Sequence, residues 1–148
     1  MQKKPKVFKA IMTALLGLLI FGLVYLLSYL IAGGIIYILS KIPIINRLVG
    51  FLFHVRGDTP DMMLSLLAPI LAYLGTMAVQ ESINKDKPTR GVSCVILGAC
   101  ITILHIVFIV INLICGDGIL NNIGQALAGL AFFTSGRGSL QESSDDQS

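Results

Sequence analysis

Charged side chains are scarce in this chain, and the short motifs that mark common catalytic sites are missing. Only 13% of the 148 residues are Asp, Glu, Lys or Arg. No HExxH, GxSxG, P-loop or GxGxxG pattern occurs, so the usual signatures of zinc proteases, serine hydrolases and nucleotide-binding enzymes are lacking. The sequence therefore favours a protein that is not an enzyme.

The cysteines provide neither a disulfide framework nor a metal site. There are three, Cys94, Cys100 and Cys115, and no two of them form a CxxC pair. Neither histidine has a neighbour at metal-ligand spacing. We therefore expect free thiols that behave as small hydrophobic groups, with no metal and no cofactor.

Carboxylates are also missing from every long apolar stretch, which leaves no pair of acids for general acid–base chemistry within a membrane. Those nearest the apolar stretches lie at predicted helix ends or in loops: Asp58, Asp61, Glu81, Asp86 and Asp117. Cys94 and His105 share a helix face, but eleven residues of helix separate them by about 16 Å. They cannot act together as a nucleophile and a base.

Apolar residues make up most of what is present. The hydrophobic fraction is 55% and the mean hydropathy is +0.84, both above the range of soluble globular domains. These residues form runs longer than a soluble helix needs, which is typical of transmembrane helices. The sequence predicts an all-α, polytopic integral membrane protein with three to four transmembrane helices.

Three spans follow from the length of the apolar runs. The first is predicted at about 8–32 and extends to 39 as one tilted or kinked helix, with Gly33-Gly34 as its weakest point. No A-x-A cleavage site follows it, so a retained anchor is favoured over a cleaved signal peptide. The second span is predicted at 62–80, where Pro69 favours a kink, and the third at 92–115.

The remaining segments allow alternatives. Residues 118–134 are short for a span and carry asparagines near one end, so a fourth span is preferred over an interfacial helix. Residues 43–55 have one apolar side and one polar side, which predicts an interfacial segment, with a packed or re-entrant loop as the alternative. We expect 1–134 to form a single membrane domain and 135–148 a disordered polar tail.

A seam of small and polar residues on the third span is the candidate site. Projected on a helix, six residues fall along one side: Gly91, Cys94, Gly98, Thr102, His105 and Asn112. A histidine at mid-depth is costly in lipid, so this side is expected to face protein or water. Helix packing with interhelical hydrogen bonds is favoured over a proton-sensitive or pore-lining role for His105.

Basic residues predict the topology. The loops at 41–61 and 80–91 carry three basic residues each, and the lysines before the first span (Lys3, Lys4, Lys6 and Lys9) favour a cytoplasmic N-terminus. Four spans then place the C-terminus in the cytoplasm as well. The net charge of +3 reflects this topogenic cluster and is not evidence of nucleic-acid binding. The plasma (cell) membrane is the expected location.

The predicted function is a small multi-pass membrane protein that acts through helix packing. It would serve as an accessory, regulatory or self-assembling component, with the lipid bilayer and either a membrane-protein partner or its own copies as partners. The alternative is a small channel or transporter in which the polar seam around His105 lines the path.

Overall fold

The computed structural model describes residues 6–44, 47 and 59–145. These residues form four α-helices: α1 (Val7–Ser40), α2 (Thr59–Ile83), α3 (Lys87–Cys115) and α4 (Leu120–Asp145). The first three are long and apolar enough to cross a membrane. The predicted all-α membrane fold is thus confirmed. The predicted interfacial segment at 43–55 lies outside the described residues, except for Pro43, Ile44 and Arg47.

Helix α1 is a single element of 34 residues, as predicted, and it continues through Gly33-Gly34. At 1.5 Å per residue it is about 51 Å long, well beyond a hydrocarbon core of about 30 Å. Its packed side carries small residues, among them Ala10, Ala14 and Gly17, whereas most of the leucines and isoleucines whose side chains the structure describes are exposed. This division suits a helix that faces lipid on one side and protein on the other.

Helices α2 and α3 both extend beyond their predicted bounds. Residues 80–91, which read as a polar loop, are mostly helical, because α2 continues to Ile83 and α3 begins at Lys87. Only residues 84–86 connect the two helices, and Pro88 fits the first turn of α3, where the missing N–H has no partner to lose. This extension brings polar side chains into the bundle.

Helix α4 extends much further than expected. The prediction of a disordered tail from residue 135 is wrong as far as residue 145, because the helix continues to Asp145. Tertiary contact explains the difference: Gly136 lies against the carbonyl of Gly91, and Leu140 packs over Gly91 itself. Residues 146–148 lie outside the described part of the chain. Unlike the other three helices, α4 is not apolar enough to read as a span.

The four helices surround a common interior in the order α1, α2, α4, α3. Helix α1 packs on α2 and α3, and α4 packs on α3 and α2, so α1–α4 and α2–α3 are the diagonal pairs. Phe132 on α4 lies at the centre, with its ring centroid 6.0 Å from that of Phe21 on α1 and 4.6 Å from that of Tyr73 on α2. The buried Leu97 and Ile101 on α3 complete this apolar layer, in which Tyr73 is partly buried.

Candidate functional site: a polar cluster between three helices

The glycines of the predicted seam lie at the closest helix contact, between α3 and α4. A Cβ built on Gly98 would be 2.5 Å from the carbonyl oxygen of Gly129 and 2.9 Å from Cα of Phe133. A Cβ on Gly91 would be 3.0 Å from the carbonyl oxygen of Gly136. Both spacings are seven residues, 91 to 98 and 129 to 136. The two antiparallel backbones can touch because none of these positions carries a side chain.

Two other seam residues face different neighbours. Thr102 lies over Gly129: a Cβ built on Gly129 would be 2.5 Å from Oγ1 of Thr102. The buried Cys94 thiol points instead at α2, with Sγ 3.9 Å from Sδ of Met77. Cys100 and Cys115 are exposed. The seam therefore does not form one continuous surface toward a single partner helix.

His105 is buried within the bundle at 8% exposure. Its Nδ1 lies 2.8 Å from the carbonyl oxygen of Ile101, one turn earlier on the same helix. In the neutral ring this contact makes Nδ1 the donor and leaves Nε2 as the acceptor.

Asn112 belongs to the turn between α3 and α4. Its side-chain Nδ2 donates to the carbonyl oxygen of Gly118 at 3.0 Å. Its backbone carbonyl oxygen accepts from the backbone N–H groups of Gly116 and Asp117. Gly116 closes the helix with φ of 78°, a left-handed conformation that glycine adopts without strain. The structure therefore places Asn112 at a helix end, separate from the buried part of the seam.

A second set of polar residues forms the densest side-chain hydrogen-bond network of the described bundle. It joins Thr13 on α1, Gln80 at the end of α2, Asn84 in the connection and Ser93 on α3. All four side chains are buried, three of them at 1% exposure or less. We call this set the polar cluster. It holds three helices together at one end of the bundle.

Gln80 is the centre of the polar cluster. Its Nε2 donates to the backbone carbonyl of Thr13 at 2.6 Å, and its Oε1 accepts from the Ser93 hydroxyl at 3.0 Å and from Asn84 Nδ2 at 3.2 Å. Gly17 makes this possible, since a Cβ there would lie 2.5 Å from Gln80 Nε2. A glycine notch in α1 thus admits the glutamine side chain.

The hydroxyl of Thr13 completes the network. It accepts from Asn84 Nδ2 at 3.0 Å and is 2.8 Å from the carbonyl oxygen of Lys9, to which it donates. Buried neutral amides and hydroxyls that satisfy one another stabilise a unique packing, because each unpaired group would carry a large desolvation cost. None of the four side chains titrates near neutral pH, so the cluster itself supplies no general acid or base to activate its two hydroxyls.

Two basic residues next to the polar cluster make contacts between the start of α1 and the α2–α3 connection. The backbone N–H of Lys6 donates to Thr89 Oγ1 at 3.2 Å, and Lys9 Nζ donates to the carbonyl of Ile83 at 3.3 Å, at the end of α2. The pKa of the Asp86 carboxyl lies below its ordinary value, chiefly because of the Thr89 hydroxyl beside it and less because of Lys9. These contacts attach the start of α1 to the α2–α3 connection.

Three buried polar atoms lack a hydrogen-bond partner among the described residues. They are Thr76 Oγ1, Asn84 Oδ1 and Thr102 Oγ1. Thr76 lies one turn before Gln80 on the interior side of α2. No group of three or more His, Cys, Asp or Glu side chains in the described part of the chain is placed to hold a metal ion.

A second, smaller polar contact lies beyond the apolar layer. The Tyr25 hydroxyl on α1 donates to Asn121 Oδ1 on α4 at 3.4 Å, at the opposite end of the bundle from the polar cluster. His105 is on the same side of the layer of Leu97, Ile101 and Phe132. The Tyr25–Asn121 contact is exposed, whereas His105 is buried, so polar groups lie on both sides of the apolar middle.

The polar cluster escaped prediction because Gln80 and Asn84 lie in a stretch that reads as a loop. A signal was nevertheless present: Thr76, Gln80 and Asn84 recur every four residues and so share one side of a continued helix. Ser93 also falls within the third apolar run. Comparison with protein-family models, with curated proteins and with solved structures found no match to this chain.

Proposed function

We propose that the protein is a small multi-pass membrane component that acts through helix packing, as an accessory, regulatory or self-assembling subunit, and has no catalytic activity of its own. One observation carries this proposal: the polar cluster turns inward and bonds mainly within itself, with Asn84 Oδ1 as its one buried atom unpaired among the described residues, while large apolar side chains cover the outside. A protein built this way offers other molecules in the bilayer its outer helix faces.

The end of α3 is the most available of these faces. From Ile106 to Cys115 nearly every side chain is exposed, and Ile114 reaches 80%. The same holds for the leucines of α1 between Leu23 and Leu30. Two helices with apolar residues exposed this widely supply ample surface for lipid, for a partner helix or for a second copy of the chain.

The proposed location is the plasma membrane, with the N-terminus and the C-terminus in the cytoplasm. The start of α1, the α2–α3 connection and the end of α4 lie at the same end of the bundle, where most basic residues are found. Basic residues next to spans favour the cytoplasmic side. Reporters fused after residues 40, 87 and 141 test this, and they also decide whether α4 crosses the membrane.

Purification from native membranes in a mild detergent tests the packing role. We expect the wild-type chain to elute as a complex larger than one copy, either of itself or with a membrane protein. Bulky substitutions on the exposed end of α3 (Val110→Trp with Leu113→Trp) should shift it toward the single chain. The matched control carries Leu15→Trp with Leu19→Trp on α1. It tests whether bulky residues on any exposed apolar face shift the protein toward the single chain. A strictly monomeric wild-type protein without a partner would contradict the proposal.

A small channel or transporter is the alternative function, and the buried, unpaired hydroxyls of Thr76 and Thr102 favour it. They are groups that a polar path would present to a solute. The apolar layer of Leu97, Ile101 and Phe132 argues against a continuous path. Liposome flux decides: a channel lined by His105 should conduct in the wild type and change in His105→Ala. Flux that is absent, or unchanged by the substitution, eliminates this alternative.

A further inference from the structure

The net charge of this protein lies in three stretches of its sequence. Residues 1–13, 80–93 and 134–148 together carry eight basic and five acidic residues, a net charge of +3, whereas the rest of the chain carries three of each. The whole net charge of the protein therefore falls in the stretches around the polar cluster.

Contacts show that the described parts of these stretches meet. Lys6 bonds to Thr89 at the start of α3, and Lys87 Nζ lies 3.5 Å from Glu142 Oε2 near the end of α4. Gly136 packs on Gly91 and Val95. The beginning of α1, the beginning of α3 and the end of α4 thus lie at one level, which we call the basic end.

Acidic residues neutralise the basic end only in part. Arg90 and Lys87 have acidic neighbours, Glu81 at 3.8 Å and Glu142 at 3.5 Å, and Lys9 is held by the carbonyl of Ile83. Lys6, Lys85 and Arg137 are exposed, and none of them has an ion-pair partner among the side chains that the structure describes. Among the described residues of the basic end, three cations are therefore available to a ligand.

These three cations lie at the depth of lipid headgroups. The charge-free part of α3 begins at Gly91, and Arg137 follows directly on the Gly136 that packs against Gly91. Lys85 lies in the connection just outside α3, and Lys6 just before α1. Basic side chains at the border of the apolar zone extend their charged groups toward the phosphates of the bilayer.

We propose that the basic end binds anionic phospholipid headgroups of the leaflet that it meets, with Lys6, Lys85 and Arg137 as the residues that attract them. The attraction is electrostatic and needs no single pocket, since each basic residue near a charged membrane surface contributes roughly fivefold to affinity for anionic lipid. This inference depends on the membrane location of the bundle and not on its proposed function as a subunit.

Spin-labelled lipids in reconstituted bilayers test the proposal. The fraction of motionally restricted label is measured for phosphatidylglycerol and for phosphatidylcholine with identical acyl chains. We expect the wild type to enrich phosphatidylglycerol by roughly fivefold or more, one basic residue's contribution. The variant Lys6→Gln/Lys85→Gln/Arg137→Gln should show a clearly weaker preference. Lys41→Gln, which changes an exposed lysine at the other end of α1, should keep it.

Two further arms make the outcome decisive. Raising the salt concentration should weaken the preference, because exposed charges are screened over about 10 Å at 0.1 M. Excess soluble glycerol phosphate should not displace the labelled lipid. Folding of the triple variant is checked by protection of the buried Cys94 thiol, and Lys85→Gln alone replaces it if protection is lost. The proposal is overturned if the wild type lacks a headgroup preference, if the folded variants retain it in full, or if glycerol phosphate competes.

Discussion

Substitution of Gly98 by alanine should separate α3 from α4. The added Cβ would lie 2.5 Å from the carbonyl oxygen of Gly129 and 2.9 Å from Cα of Phe133, whereas ordinary van der Waals contact begins at 3.4 Å. Both of these atoms belong to the backbone, so no side-chain rotation can relieve the overlap. The helices must move apart by somewhat less than 1 Å, and overpacking of this kind costs about 1–3 kcal/mol.

Gly22→Ala is the matched control. No atom lies within 4 Å of a Cβ built on Gly22. Both substitutions gain the helix propensity of alanine, about 0.5–1 kcal/mol, so their difference isolates the steric effect. We therefore expect Gly98→Ala to be less stable than Gly22→Ala by about 1–3 kcal/mol, which is roughly 5- to 150-fold in the equilibrium between folded and open bundles.

The buried thiol of Cys94 provides the assay. Cys94 is 2% exposed, and the other two cysteines are exposed and can be replaced by serine. In that background a maleimide in detergent labels Cys94 only when the bundle opens, so the labelling rate reports the opening equilibrium. Labelling in Gly98→Ala should be faster than in Gly22→Ala by the factor given above. Equal rates in the two variants would refute the steric argument.

Four further substitutions probe the polar cluster, the α2–α3 connection and the α3–α4 turn with the same thiol assay or with thermal unfolding. Gly17→Ala and Gln80→Ala should each destabilise the bundle by about 1–3 kcal/mol, because each removes buried hydrogen bonds. The double variant should be no less stable than the less stable single variant. If the two losses of stability add in full, Gly17 does not serve to admit the Gln80 side chain. Asn112→Ala should cost at most about 1 kcal/mol, since only its bond to the carbonyl of Gly118 is lost. Asp86 has a lowered pKa when folded, so its stabilisation is complete above about pH 4 and disappears as the pH falls through the folded value. The unfolding temperature of Asp86→Asn should therefore depend less on acid than that of the wild type, and parallel pH profiles would contradict this.

The helices themselves could be predicted from the sequence because membrane spans are a local property. The charge-free stretches from Ala10 to Ser40 and from Val92 to Cys115 are each long enough to cross a bilayer, whatever surrounds them. The prediction of one long first helix was confirmed for the same reason, since no polar turn interrupts it. Gly33-Gly34 did not break the helix.

The polar residues could not be placed in the same way. Gln80 and Asn84 read as loop residues because polar side chains next to lysines are usually solvated. Their burial depends on Gly17 in another helix, which leaves room for the Gln80 side chain. Asn112, predicted as part of the seam, is used at the turn instead. Which polar group meets which partner depends on helix register, and register follows from contacts between distant parts of the chain.

Hydropathy and length act within each segment, so the amino-acid sequence is enough to identify a membrane protein and to locate its three apolar helices. The helical state of residues 135–145 and the packing of α4 along α3 depend instead on contacts between helices. Those residues have little helix-forming apolar character of their own, but Gly136 and Leu140 find partners at the start of α3. Packing between helices supplies what local composition lacks.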